Sequence, residues 1–209
     1  MSYLKRVQAN SYQQRLESLI SERMQTGADK ADIDARIWDI FGEKWSIMFT
    51  DLSGFSRYVT EFGIIHFLQN IQESQRIFEP CIEANDGILI KVEGDSLMVL
   101  FRHPSKAVKC AIAMQQATKT YNIDKIEAEK ILLCVGIGYG DILTIGDQDV
   151  FGEEVNAASK LGEDTAKAWE ILVTGSVIPE IKELPGISFE PLEEGPAWVA
   201  EAYKLEYPL

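Results

Sequence analysis

Basic residues are scarce in this 209-residue chain: 20 Lys and Arg stand against 33 Asp and Glu, a formal charge of −13. Nucleic acid and anionic membrane surfaces both need a basic face, so neither is expected as the main partner. Cysteine is scarcer still. Cys81, Cys110 and Cys134 are too few and too dispersed for a disulfide framework or a zinc site. Each lies in an apolar segment and reads as a small buried hydrophobe. The longest apolar run, near residues 131–139, falls far short of the ~20 residues that cross a bilayer. The opening Met1-Ser-Tyr-Leu-Lys-Arg6 has no signal-peptide core behind it, so a cytosolic protein without membrane insertion is expected.

What remains is ordinary globular material. The chain is 46% hydrophobic and 25% charged, and can bury a core without staples. Its length suits one large domain, or one domain with an appendage. The charge is unevenly placed. Residues 1–44 hold seven acids and seven bases, so the whole −13 falls in residues 45–209. If that body handles an anion, it must use a few well-placed cations or bound metal.

Hydrophobic spacing divides the chain in the same place. Tyr12, Leu16, Leu19, Ile20 and Met24 share a helical face, and Thr26-Gly27 breaks it. Asp29 or Asp32 can cap a second helix carrying Ile33, Ile37, Ile40 and Phe41. A heptad started at Leu4 runs into Ser11, Gln14, Ser18 and Ser21, which excludes a strict coiled-coil seam. An amphipathic pair packing on its own body or on a second subunit fits better. From Trp45 the rhythm changes: a short strand over 45–50, then one long helical pattern from Phe55 to Ile82, stopped by Asn85-Asp86-Gly87. Strands over 88–92 and 96–101 flank a Glu93-Gly94-Asp95 turn. A helix follows over about 104–120, then a buried strand over 131–139 with Ile142–Ile145 pairing back on it, a helix over about 153–162, and strands near 170–173 and 187–207. This β-α-β-β-α-β order predicts an α+β fold: a ferredoxin-like split βαβ sheet with helices on one face. The expected division is a helical extension at 1–44 and a catalytic-sized domain at 45–209.

Asp51 ends the first strand and Asp95 sits in the neighbouring hairpin tip. Alone, each reads as a turn or cap residue. Together at adjacent strand ends they form a cradle for Mg²⁺ or Mn²⁺, which prefer hard oxygen ligands. Ser53-Gly54-Phe55-Ser56 opens the following helix, where free N–H groups and the positive dipole end can seat phosphate. Asn156 and Lys160 stand at i and i+4 on one helical face.

Four segments in order, Phe49-Thr-Asp51-Leu-Ser-Gly54-Phe55-Ser56, Lys91-x-x-Gly94-Asp95, Val135-Gly-Ile-Gly138-x-Gly140 and Asp149-Val-Phe-Gly152-x-x-Val155-Asn156-x-Ala158-x-x-Leu161, resemble the catalytic domain of class III nucleotidyl cyclases. They cover roughly residues 45–175, and the split βαβ plan is also that family's fold. The resemblance implies two Mg²⁺ or Mn²⁺ ions per active site, held by Asp51, Asp95 and the carbonyl of Leu52. One ion would activate the substrate 3′-hydroxyl and the other would neutralise the triphosphate. It implies base reading by Lys91, donating to adenine N1, and Asp149, accepting from the N6 amine. A guanylyl cyclase of the family carries Glu and Cys there, so these residues spell ATP. Asn156 resembles the ribose-positioning asparagine. The family builds composite sites across a homodimer, which places Lys91 and Asp95 in opposite sites. His66 and His103 need no role.

Three departures stand out. Lys160 occupies the place of the family's transition-state arginine, keeping the charge but not the bidentate fork. Only eight residues separate Gly140 from Asp149, where many members carry a longer basic arm. The tail Leu192-Glu-Glu-Gly-Pro-Ala-Trp198 lacks the lysine that often meets the terminal phosphates. The sequence therefore admits two readings. One is a metal-dependent adenylyl cyclase. The other is a weak or inactive cyclase-homology module that binds nucleotide or dimerises.

Overall fold

The computed structural model describes residues 3–146, 148–192, 199 and 201–209, with side chains outside 1–10 and 55–58. Helix α1 (Tyr3–Arg23) and helix α2 (Lys30–Phe41) open the chain. The Asp29 carboxylate caps α2 by accepting the Asp32 N–H at 3.1 Å. Among the described residues two ion pairs join the helices, Arg23 to Asp34 and Arg36 to Glu22 at 2.8 Å. Leu19 packs with Ile33, Ile37 and Phe41 against Leu143 and Ile145, so the pair docks on its own chain. Its seam is narrower than the spacing predicts, because Ile20, Met24 and Ile40 stay exposed.

Strand β1 (Gly42–Leu52) follows α2 directly, three residues before Trp45. Then come α3 (Phe55–Phe62), α4 (Ile64–Ala84), the hairpin β2 (Ile88–Glu93) and β3 (Ser96–Phe101), and α5 (Pro104–Tyr121). The chain continues through β4 (Leu133–Ile145), β5 (Asp149–Phe151), α6 (Glu153–Ser159), a π-helical turn at Lys160–Thr165, β6 (Ile171–Thr174), α7 (Ile178–Ile181), β7 (Ser188–Pro191) and β8 (Ala202–Glu206). The strands form one sheet in the order β2-β3-β1-β4-β6-β8-β7, with β5 paired to β4. Its first four strands and the helices between them are the predicted split βαβ unit.

The central strands are apolar at consecutive positions because both sheet faces are covered. Met48, Val99 and Val135 point into a core completed by Phe78 of α4 and by Cys110 and Met114 of α5. On the opposite face Ile47, Met98, Leu100 and Ile142 meet Val155 and Ala158 of α6. The two long helices thus share one face as expected, and short α6 adds cover to the other. Cys110 and Cys134 are buried and Cys81 is half-buried. Burial raises all three thiols, the first two to about 12, as suits inert core residues.

Two elements differ from the sequence expectation. The pattern from Phe55 to Ile82 is two helices, because Gly63 adopts φ +86° between them, which breaks the α-helical run. Ile142–Ile145 does not fold back on the preceding strand. It continues β4, held there by the extended start of β1, with Lys44 opposite Asp141 and Gly42 opposite Leu143. The hairpin forms one step later, where β5 places Phe151 opposite Leu143.

Candidate active site

Register brings the two aspartates together. Thr50 of β1 lies opposite Leu97, two residues past Asp95, and its hydroxyl accepts the Leu97 N–H at 3.2 Å. Asp51 is the next residue on β1, and Asp95 occupies the β2–β3 turn. Burial, then the Asp95 charge, pushes Asp51 up to about 7, although a Leu52 N–H hydrogen bond opposes this. Asp95 is raised too, mainly by burial, against hydrogen bonds from its own N–H and that of Leu52. The charges that raise Asp51 are all acidic: Asp95, Glu163 and Asp164. One carboxylate oxygen of Asp95, Oδ2, is buried with no hydrogen-bond partner among the described residues.

Two crowded carboxylates with an unsatisfied oxygen fit a hard divalent cation such as Mg²⁺ or Mn²⁺. Among the described residues no cluster of three or more His, Cys, Asp or Glu is arranged to hold a metal. The protein's share would be the two aspartates with the Leu52 carbonyl, leaving the remaining positions to water and phosphate.

Sequence reasoning missed a third acid. Glu163 lies in the π turn, where Ser96 Oγ donates to its Oε1 at 2.7 Å and Ser159 Oγ donates to its Oε2. A close backbone approach makes this possible. A Cβ on Gly136 of β4 would sit 2.3 Å from Gly162 N, and one on Gly162 would sit 2.8 Å from Phe49 O of β1. With both hydrogens in place the π turn lies against the sheet beside the Asp51 strand end. Gly136→Ala is therefore expected to cost about 2–4 kcal/mol, since backbone rather than a flexible side chain would have to move. Urea unfolding measures it, and a loss under about 0.5 kcal/mol contradicts the close approach. The signal available in the sequence was the Gly-Glu-Asp run at 162–164. The expected helix over about 153–162 stops short of Glu163, because an α-helical period does not anticipate the extra residue of a π turn.

The base-reading candidates also meet. Lys91 on β2 and Asp149 on β5, 58 residues apart, approach to 3.9 Å. Lys91 also pairs with Glu93 at 2.8 Å, and these contacts raise its ammonium, the Glu93 hydrogen bond first. Lys91 lies opposite Met98, so the pair borders the α6-covered face of the sheet. Asn156 is exposed on α6 at a cleft of about 640 Å³, bounded across by Thr174, Gly175 and Ser176. The Lys160 N–H still bonds to the Asn156 carbonyl, preserving their one-turn relation, and its ammonium is paired with Asp164.

The expected phosphate seat is narrower than Ser53–Ser56. The Ser53 N–H donates to the Leu132 carbonyl at 2.8 Å and is not free. Gly54 precedes α3 in a left-handed conformation, φ +94°, and supplies no side-chain cap, and the first N–H groups of a helix have no intrahelical partner. The side chains of Phe55 and Ser56, and tail residues 193–198, lie outside the description.

Residues 42–199 match the family described as Adenylate and Guanylate cyclase catalytic domain. A protein of Rhizobium meliloti (strain 1021), provisionally named adenylate cyclase 3, is 33% identical over 116 residues, 56% of this chain and 20% of that protein. Serine/threonine-protein kinase pkn2 of Myxococcus xanthus is 27% identical over 132 residues, 63% of this chain and 16% of its own length. The chain therefore matches about a fifth or less of these two relatives. In fold it is similar to the adenylyl cyclase CyaB from P. aeruginosa, with a TM-score of 0.67 at 21% identity, covering 80% of this chain and 96% of the other. The chain belongs to the adenylate and guanylate cyclase catalytic domain family. Guanylyl cyclases share the fold as well: Cya2 superposes with a TM-score of 0.63 at 16% identity, covering 78% of this chain and 90% of the other.

Proposed function

We propose that this chain is an adenylyl cyclase that converts ATP to 3′,5′-cyclic AMP and pyrophosphate. The observation that carries the reading is the 3.9 Å approach of Lys91 and Asp149 from separate strands. One donates and one accepts, as the N1 and N6 edge of adenine requires. In the reaction the ribose 3′-oxygen bonds to the α-phosphorus as the bond from that phosphorus to the β-phosphate bridging oxygen breaks. The hydroxyl proton passes to solvent, and no protein nucleophile is involved. Asp51, Asp95 and the Leu52 carbonyl would hold two Mg²⁺ or Mn²⁺ ions per site. When bound, these would supply activation of the 3′-hydroxyl and neutralisation of the leaving pyrophosphate. Asn156 positions the ribose, the first turn of α3 receives phosphate, and Lys160 stabilises transition-state charge.

The charges that act on Asp51 are the acids Asp95, Glu163 and Asp164, so this half of the site offers metal ligands and draws base reading from elsewhere. We assign the missing half of each site to a second copy in a twofold homodimer, with residues 1–44 as a helical extension of the catalytic body. The test is incubation of the pure protein with ATP or GTP and Mn²⁺, with products identified by mass spectrometry. Cyclic AMP is expected, at a specific activity that rises with protein concentration. No cyclic nucleotide from either substrate at high concentration overturns the proposal.

The pairing of Lys160 with Asp164 favours a second reading, a nucleotide-binding regulatory module, because the cation assigned to transition-state charge is already engaged. That reading predicts ATP binding by calorimetry without turnover. The enzyme reading predicts that Lys160→Arg raises kcat by roughly threefold to tenfold, since the planar fork can hold phosphate oxygens bidentately. An unchanged or lower kcat contradicts that role for Lys160.

A further inference from the structure

We propose that Glu163 is a positioning residue of the metal site, an anionic brace that strengthens divalent-cation binding at Asp51 and Asp95. This rests on the metal reading above and adds a residue to it. Both oxygens of Glu163 are fixed, Oε1 by Ser96 at 2.7 Å and Oε2 by Ser159. Ser96 directly follows Asp95, so the same contact that aims Glu163 also anchors the hairpin tip. The brace spans 67 residues of sequence and joins the π turn after α6 to the first residue of β3, beside the β2–β3 turn.

The two acids of the π turn have different partners. Asp164 is neutralised by Lys160, whereas no Lys, Arg or His is within ion-pair distance of Glu163 among the described residues. Its donors are neutral hydroxyls, which orient a carboxylate without cancelling its charge. A half-buried carboxylate held without a cationic partner beside two further carboxylates meets like charge in the metal-free protein. It becomes favourable when a dication occupies the aspartate pair, because outer carboxylates raise metal affinity. The Gly136–Gly162 approach and the π turn are what bring the carboxylate to this place.

A purely mechanical brace would need the two serine contacts and not the charge. Glu163→Gln separates these roles, since its amide can accept from one serine and donate to the other. Mn²⁺ alone is titrated calorimetrically into the full chain at neutral pH, and melting is recorded with chelator present. For Glu163→Gln the Mn²⁺ Kd is expected to rise about tenfold or more, while the chelated melting temperature stays level or rises. Glu163→Asp, which keeps the charge on a shorter arm, is expected to bind Mn²⁺ more tightly than Glu163→Gln. The inference is overturned if Glu163→Gln binds Mn²⁺ within twofold of wild type while Asp95→Asn loses it. It is equally overturned if Glu163→Asp and Glu163→Gln bind alike. If Asp95→Asn binds Mn²⁺ as wild type does, the metal reading itself fails and takes this inference with it.

Discussion

Asp51→Asn is expected to abolish nucleotide cyclisation and, in the absence of metal, to make the fold more stable. On the proposed metal assignment the activity loss follows from removing a ligand of the ions that would activate and neutralise, a deficit of about 10³ or more in kcat. The stability gain follows from the electrostatics. The folded-state pKa of Asp51 is raised to about 7, against about 3.9 in the unfolded chain. Between those values the native state binds more protons than the unfolded state, so stability falls as pH rises through that window. Above it the penalty is fully present. Asparagine removes the charge and keeps a side-chain oxygen for the Leu52 N–H. Discounted for partial solvent exposure, the gain at pH 8 in chelator is about 1–2 kcal/mol, shrinking to nothing near pH 4. Urea melts at the two pH values measure it. Adding Mn²⁺ should reverse the ranking, stabilising wild type and leaving Asp51→Asn unmoved. A variant that melts earlier than wild type at pH 8 in chelator would show that the aspartate pair is not under repulsion.

The reasons some features were legible in the sequence are themselves physical. The strand cores at 45–50, 96–101 and 133–139 are apolar at successive positions because helices cover both faces, and that signature needs no tertiary knowledge. Asp51 and Asp95 were legible because each follows or interrupts such a run where the chain must turn. The continuation of β4 through Asp141 was not, since an exposed acid after Gly140 imitates a turn. Only its pairing with Lys44 of β1 shows the strand going on. The helix pattern after Phe55 conceals the break at Gly63 because apolar residues resume at once on the far side, although the two-residue step from Phe62 to Ile64 is not a helical spacing. Glu163 was invisible for a different reason. Its place depends on two glycines 26 residues apart meeting backbone to backbone, and on a π turn that shifts the helical period by one residue. Lys91 and Asp149 were assigned through family resemblance, and their proximity is a property of sheet order that spacing alone does not encode.

That proximity sets up the second large effect. Exchanging both residues, Lys91→Glu with Asp149→Cys, is expected to move the product from cyclic AMP to cyclic GMP. Adenine presents an acceptor at N1 and a donor at N6, whereas guanine presents a donor at N1 and an acceptor at O6, so each protein partner must reverse its role. A site built to hydrogen-bond one edge and offered the other leaves desolvated groups unpaired, which discriminates far more strongly than a change of shape. The kcat/KM for ATP should fall by about 10²–10³ in the double variant, with GTP turnover appearing. For GTP turnover the double variant should fare better than the sum of the two single substitutions implies. Lys91→Glu alone sets a third carboxylate beside Glu93 and Asp149, and Asp149→Cys alone leaves the ammonium facing the guanine N1 donor. A double-mutant cycle on the ratio of the two cyclic products therefore carries a coupling term between the two base-reading residues, which independent sites would lack. Folding should be little affected, because both side chains are about 40% exposed and surface ion pairs contribute little. A product ratio unchanged in the folded double variant would mean that these residues do not read the base, whatever else the aspartate pair does.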